Sequence, residues 1–139
     1  MTPRQIELVQ SSYRNVLLVS DSTAQLFYAR LFALEPGLQT LFGNDMRQQA
    51  RMFMYALGAA VAWLKNFNAV VPQLEALAQR HRGYGVKAQD YALLGEALLW
   101  ALERALGESF GEELRAAWQA LLAEIAAVMK QAAYGAPAP

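Results

Sequence analysis

One imidazole, that of His81, is present in 139 residues. It ends the set Leu74, Leu77, Ala78 and His81, whose i, i+3, i+4 and i+7 spacing puts all four on one face of a helix. Arg80 and Arg82 flank it and are expected to point toward solvent. His81 then faces inward at the C-terminal end of its helix, just before Gly83 and Gly85. A neutral imidazole in that place can bind a metal through one nitrogen. Its other nitrogen can donate to a carbonyl of the preceding turn, which fixes the tautomer and raises ligand basicity. Taken alone, the stretch reads more simply as a core histidine with its hydrogen bond satisfied.

Other polar and aromatic groups recur at wide spacings. Tyr28 lies in QLFYARLF, and Phe42 ends ALEPGLQTLF fourteen residues later. Gln49 follows Phe42 by seven positions and precedes His81 by 32. Phe53, Leu57 and Ala60 continue the helical face of Gln49 at i+4, i+8 and i+11. Gln48 heads a slightly poorer face through Met52 and Ala56, so both glutamines stay open, with Gln49 preferred. A phenol and an amide are both hydrogen-bond donors. The run containing Phe27, Tyr28 and Phe32 also reads as core. Trp63, Trp100 and Trp118 read as packing residues. Met52, Met54 and Met129 read as flexible filler near a pocket. Tyr55 and Tyr84 read as surface or interhelical side chains.

The elements that must position these groups are helices. Thr2-Pro3 with Gln5 forms an N-terminal cap, and a helix is expected to run to about Val19. Asp21 or Ser22 would cap the next, through Leu34. Pro36 restarts a short helical turn to Phe42. Gly43-Asn44-Asp45 breaks the chain and caps a longer helix ending near Lys65, followed by a loop at Asn66–Asn68. Further helices are expected over Ala69–Arg82, Ala88–Leu106 and Gly111–Ala133, the last with a capping box from Ser109 and Glu112. No alternating strand pattern stands out. The fold class is all-α, with roughly seven helices in one domain over residues 1–134 and a flexible tail over 135–139.

Composition narrows the function. Hydrophobic residues make up 55% and charged residues only 17%, so apolar surface is available to wrap a ligand. Twelve basic residues balance twelve acidic ones, which gives no electrostatic case for nucleic acid or an anionic membrane. The absence of cysteine excludes disulfides, zinc–thiolate sites, iron–sulfur clusters and thiol chemistry. Met1-Thr2-Pro3-Arg4-Gln5 opens directly into an amphipathic segment, without the features of a signal peptide. No apolar run approaches the ~20 residues needed to span a bilayer. A cytoplasmic location is expected.

The order and spacing of FYARLF, the Pro36 helix start, Phe42, ALGAAV, QRHRGYGV and YALLGEALL together resemble the globin family. The likeness is specifically to single-domain bacterial globins and the haem domains of flavohaemoglobins. It covers about Gln5 to Met129 and implies a three-over-three helical sandwich around haem b. It implies His81 as proximal iron ligand, Phe42 packed on the haem edge, and Tyr28 and Gln49 as distal donors. Phe53 would lie over the iron and Leu57 would continue that face. Leu77 and Val86 would touch the porphyrin, and Tyr91 would lie near His81. With a single histidine, bis-histidine ligation is excluded. Dioxygen polarised by a haem iron carries partial negative charge, so two donors imply tight binding, while carbon monoxide gains less.

Two departures stand out. The glutamate that flavohaemoglobins place in the last helix falls on Ala133, so Tyr91 lacks an acidic partner and peroxidase-like chemistry is less favoured. Phe53 is bulkier than the usual leucine or valine. The function implied first is reversible binding of dioxygen, nitric oxide and carbon monoxide. The alternatives are a nitric oxide dioxygenase served by a separate reductase, a gas sensor acting through a partner, and a haem-free helical domain. No nucleic-acid or membrane partner is expected, and the protein is read as a monomer or homodimer.

Overall fold

The computed structural model describes residues 1–42, 45–83 and 85–135. These residues form six α-helices: α1 (Pro3–Leu17), α2 (Ser20–Leu34), α3 (Met46–Ala62), α4 (Val71–Gly83), α5 (Asp90–Leu106) and α6 (Glu112–Tyr134). Short 3₁₀ segments at Pro36–Leu41, Leu64–Ala69 and Gly107–Ser109 join them. The expected tail lies mostly beyond the described residues, as do Gly43, Asn44 and Tyr84.

Helix ends follow local chemistry. The side chain of Thr2 accepts from the Gln5 amide while Gln5 reaches back to the Thr2 amide, a reciprocal capping box. The Asp45 carboxylate accepts from the Gln48 amide at 3.1 Å and starts α3. Neither Asp21 nor Ser22 caps α2. Val19 holds that position without a side-chain bond, because α1 ends at Leu17 and the corner leaves almost no linker. The expected box at Ser109 is also replaced. Its hydroxyl donates to the Leu106 carbonyl at 2.7 Å, and Gly111 stands at the start of α6. Asn66–Asn68 belongs to a 3₁₀ segment kinked at Asn66, not an open loop. Gly107 ends α5 at φ +60°, a conformation that favours glycine.

The helices stack in two layers. α2 packs on α5 and α5 on α6 in one layer, while α1 and α3 share the other with α4. Across the layers α1 meets α5 and α6, α2 meets α3, and α4 meets α6. α3 and α4 do not form a packed pair, and the space between them becomes the site.

The main core lies under α1, α2, α3, α5 and α6, around the fully buried Trp118. Its indole N–H donates to Ser12 Oγ at 3.1 Å. Trp63, by contrast, is 52% exposed, because it sits at the C-terminal cap of α3 where the chain turns away. Trp100 is half-buried beneath the Arg104 guanidinium, 3.6 Å from the ring centre. A second apolar cluster ties α4 to the end of α6 through Leu74, Ala78, Met129 and Ala133.

Candidate functional site

The gap between α3 and α4 opens into a cavity of about 720 Å³, roofed by α2, α5 and α6. Its wall is mainly apolar, with few polar groups, as in sites for compact organic ligands. The structure brings Tyr28, Phe42, Gln49, Phe53, Leu57, Leu77, His81 and Tyr91 onto this wall. Gln48 is exposed and does not reach it, since the turn capped by Asp45 directs Gln49 inward instead. Of the three methionines, Met52 and Met129 line the cavity. Met54 is buried on the opposite side, where its carbonyl accepts from Tyr13 Oη at 3.0 Å.

His81 comes from the last turn of α4. Its Nδ1 stands 2.8 Å from the Leu77 carbonyl. A carbonyl only accepts, so Nδ1 carries the proton and Nε2 keeps its lone pair. Burial pushes the imidazole pKa down, against the opposing effect of the Leu77 bond, and the nearby Arg80 cation lowers it further. The ring is therefore held neutral, oriented and free at one nitrogen.

Across the cavity, α2 supplies Phe27 and Tyr28 on consecutive positions. Phe27 lies parallel to Phe53 of α3, with ring centres 4.4 Å apart and planes 7° from parallel. Tyr28 meets Phe42 edge-on at 5.6 Å and Phe53 at 6.2 Å. Its hydroxyl donates to the Gln49 backbone carbonyl over a long 3.4 Å. A bond of that length is weak and easily exchanged for a better acceptor. Burial raises the Tyr28 pKa to about 12, so the phenol remains a donor through the physiological range.

Beneath α4 the arrangement is unusual. Among the described residues the buried Tyr91 hydroxyl has no hydrogen-bond partner, and burial, with the nearby Tyr134, raises its pKa to about 12. Ala133 is buried in the same apolar cluster and offers no side-chain acceptor. Val86 stands outside the cavity wall. Its amide donates to the His81 carbonyl at 3.1 Å, and its carbonyl accepts from the Tyr134 hydroxyl. Val86 therefore fastens the turn that follows His81. Gly85, at φ +95°, makes that turn, with Leu41 3.3 Å from where a Cβ would lie. Arg82 and Gln79 anchor α4 to the Ala133 and Ala132 carbonyls at 2.7 and 2.6 Å.

Phe27, Arg51 and Arg80 also line the cavity; the sequence offered the two arginines only together with Arg47, Arg82 and Lys87, as candidate partners for haem propionates with no choice among the five. Phe27 was legible only as part of an aromatic run. The two arginines reach the rim because α3 and α4 diverge, which no local pattern encodes. Among the described residues, no group of three or more His, Cys, Asp or Glu converges to hold a bare metal ion.

Comparison with known proteins bears on the family and the fold. The chain is 27% identical to Neuroglobin-1 of Oncorhynchus mykiss over 94% of this chain and 91% of that one. It is 30% identical to a flavohemoprotein of Bordetella parapertussis over 99% of this chain, and spans 36% of that relative's length. Among solved structures, an engineered carbene transferase from Rhodothermus marinus, whose parent is named a nitric oxide dioxygenase, superposes with a TM-score of 0.85. That likeness holds at 24% identity over 93% of this chain and 90% of that one. A hexacoordinated heme protein from a tardigrade superposes at 0.87 with 14% identity, over 95% of this chain and 94% of that one. The family model for Globin matches residues 25–129, and the chain belongs to the globin family.

Proposed function

We propose that the cavity holds haem b, with His81 as the proximal ligand, and that the protein binds dioxygen and other diatomic gases. One observation carries this reading: an oriented, neutral imidazole with a free Nε2 on the wall of an apolar cavity. His81 supplies a single ligand, so a metal here must bring its other ligands with it, as a porphyrin does. When bound, haem would supply an iron able to take a diatomic gas.

The chain's own groups do the rest. The Leu77 carbonyl holds His81 in the liganding tautomer. Leu77, Phe42, Phe53 and Leu57 give the disc apolar contact. Val86, outside the wall, supports the backbone of His81, and Tyr91 closes the proximal side. Arg51 and Arg80 at the rim suit the carboxylates of the cofactor. The Tyr28 hydroxyl, held only by its weak bond to Gln49, and the Gln49 amide would each be free to donate to a bound gas. Each contributes on the order of 1 kcal/mol, so together they slow release by one to two orders of magnitude.

Tyr28→Phe keeps the ring packing and removes only the hydroxyl. Stopped-flow release of dioxygen is expected to quicken about tenfold, and an unchanged rate removes Tyr28 from the distal mechanism.

A second reading adds turnover to binding: nitric oxide dioxygenation with electrons from a separate reductase. The flavohemoprotein relative, 30% identical over 99% of this chain, favours it. Among the described residues the Tyr91 hydroxyl has no partner and Ala133 supplies no carboxylate beside it, which argues against peroxidase-like chemistry. A cytoplasmic location fits either reading. Among the described residues no helix is long and apolar enough to cross a membrane.

A further inference from the structure

We propose that Arg82 and Gln79 are positioning residues for His81: by capping the C-terminal carbonyls of α6 they fix where α4 stands, and with it the reach of the imidazole into the cavity. The inference rests on the haem reading above. It starts from how little else holds α4. Among its described residues, Leu74 and Ala78 alone are buried. The helix packs on α6 and on the Leu64–Ala69 segment, and forms no packed pair with α2, α3 or α5 among the described residues. An element with so few buried apolar contacts depends more on its polar bonds to stay in place.

Those bonds converge on one turn. A helix leaves its last carbonyls without an intrahelical donor, and in α6 these include Ala132 and Ala133. Gln79 Nε2 donates to the first at 2.6 Å and Arg82 Nη1 to the second at 2.7 Å. The guanidinium also meets the negative end of the α6 dipole. Arg82 stands outside the cavity wall, so its charge is not directed at the carboxylates of the cofactor. On the other side of His81, the Val86 carbonyl accepts from Tyr134 of the same α6 turn. His81 is therefore held from both sides by Ala132–Tyr134. Its Nδ1 is bonded to the Leu77 carbonyl within α4, so the ring cannot swivel to compensate when the helix shifts. A displacement of α4 is carried to Nε2.

The test uses the haem-loaded chain. Amide hydrogen exchange reads the mobility of α4, and resonance Raman scattering of the ferrous, gas-free chain reads the iron–imidazole stretch. The double variant Gln79→Ala/Arg82→Ala is expected to exchange several-fold faster over residues 74–82, with α2 and α5 unchanged. Its iron–imidazole stretch is expected to shift and broaden. Arg82→Lys keeps a donor for the Ala133 carbonyl and stays close to wild type in both readings. Arg115→Ala breaks an exposed ion pair with Glu103 near the other end of α6 and leaves both readings unchanged. Unchanged exchange over α4, equal acceleration in every helix, or a wild-type stretch despite faster exchange would overturn the proposal. So would an equal shift in Arg82→Lys, which would assign the effect to the guanidinium itself and not to the tether. A wild-type chain without a haem absorption band fails before any variant is compared. That result overturns the haem reading and this one with it.

Discussion

Tyr91 and His81 show how single groups are held at some cost. The Tyr91 hydroxyl is buried and unpartnered among the described residues, and an orphaned donor of that kind costs about 1–3 kcal/mol. Tyr91→Phe removes the donor while keeping the ring. The haem-free protein is expected to melt at the same temperature or a few degrees higher, whereas a clear loss would show that the hydroxyl has a partner. His81 carries a pH dependence of opposite origin. Its folded pKa lies below the ordinary 6.5, through burial first, with Arg80 adding to it against the Leu77 bond. The unfolded chain therefore takes up the proton more readily. Stability from the neutral ring is complete above pH 6.5 and is lost as pH falls from there through the folded value. Melting of the haem-free chain should decline on acidification just below pH 6.5, and His81→Gln should flatten that decline. An equal slope in the variant would assign the effect to other groups.

At the scale of the element, the site depends on where α3 sits. Tyr13 of α1 crosses α3 where Gly58 leaves room, and a Cβ there would lie 3.2 Å from the Tyr13 hydroxyl. The same hydroxyl bonds to the Met54 carbonyl, so one side chain sets both the spacing and the tilt of α3. Gly58→Val is expected to cost about 1–3 kcal/mol in denaturant unfolding and to shift Gln49 and Phe53 with the helix. Unchanged stability would mean that Tyr13 yields freely. The inward face of α3 was legible because Gln49, Phe53, Leu57 and Ala60 share one helical stripe. The start of α6 was legible to within a residue, but its capping box was misjudged because the Ser109 hydroxyl bonds back to the Leu106 carbonyl instead. Such competition between two local bonds is decided by backbone direction, which composition does not encode.

At the scale of the whole molecule, the two layers are nearly continuous except between α3 and α4. Periodicity and breakers were enough to give an all-α chain, and the resemblance to globins implied that Tyr28, Phe42, Gln49 and His81 face one cavity, which they line. The divergence of α3 and α4 was not legible, nor was the place of Val86 outside the wall, because both follow from long-range packing. Trp63 shows the same limit. Its type suggests burial, yet the chain turns at that residue and leaves it exposed. The claim that unites these scales is that the cavity takes up haem through His81. The direct measurement is the absorption spectrum of the purified chain after addition of haemin, when ferric, then reduced, then exposed to dioxygen, beside His81→Ala. The account predicts a Soret band that shifts at each step and is largely lost in the variant. A wild-type chain that stays colourless, or a variant that takes up haemin as well as the wild type, would contradict it.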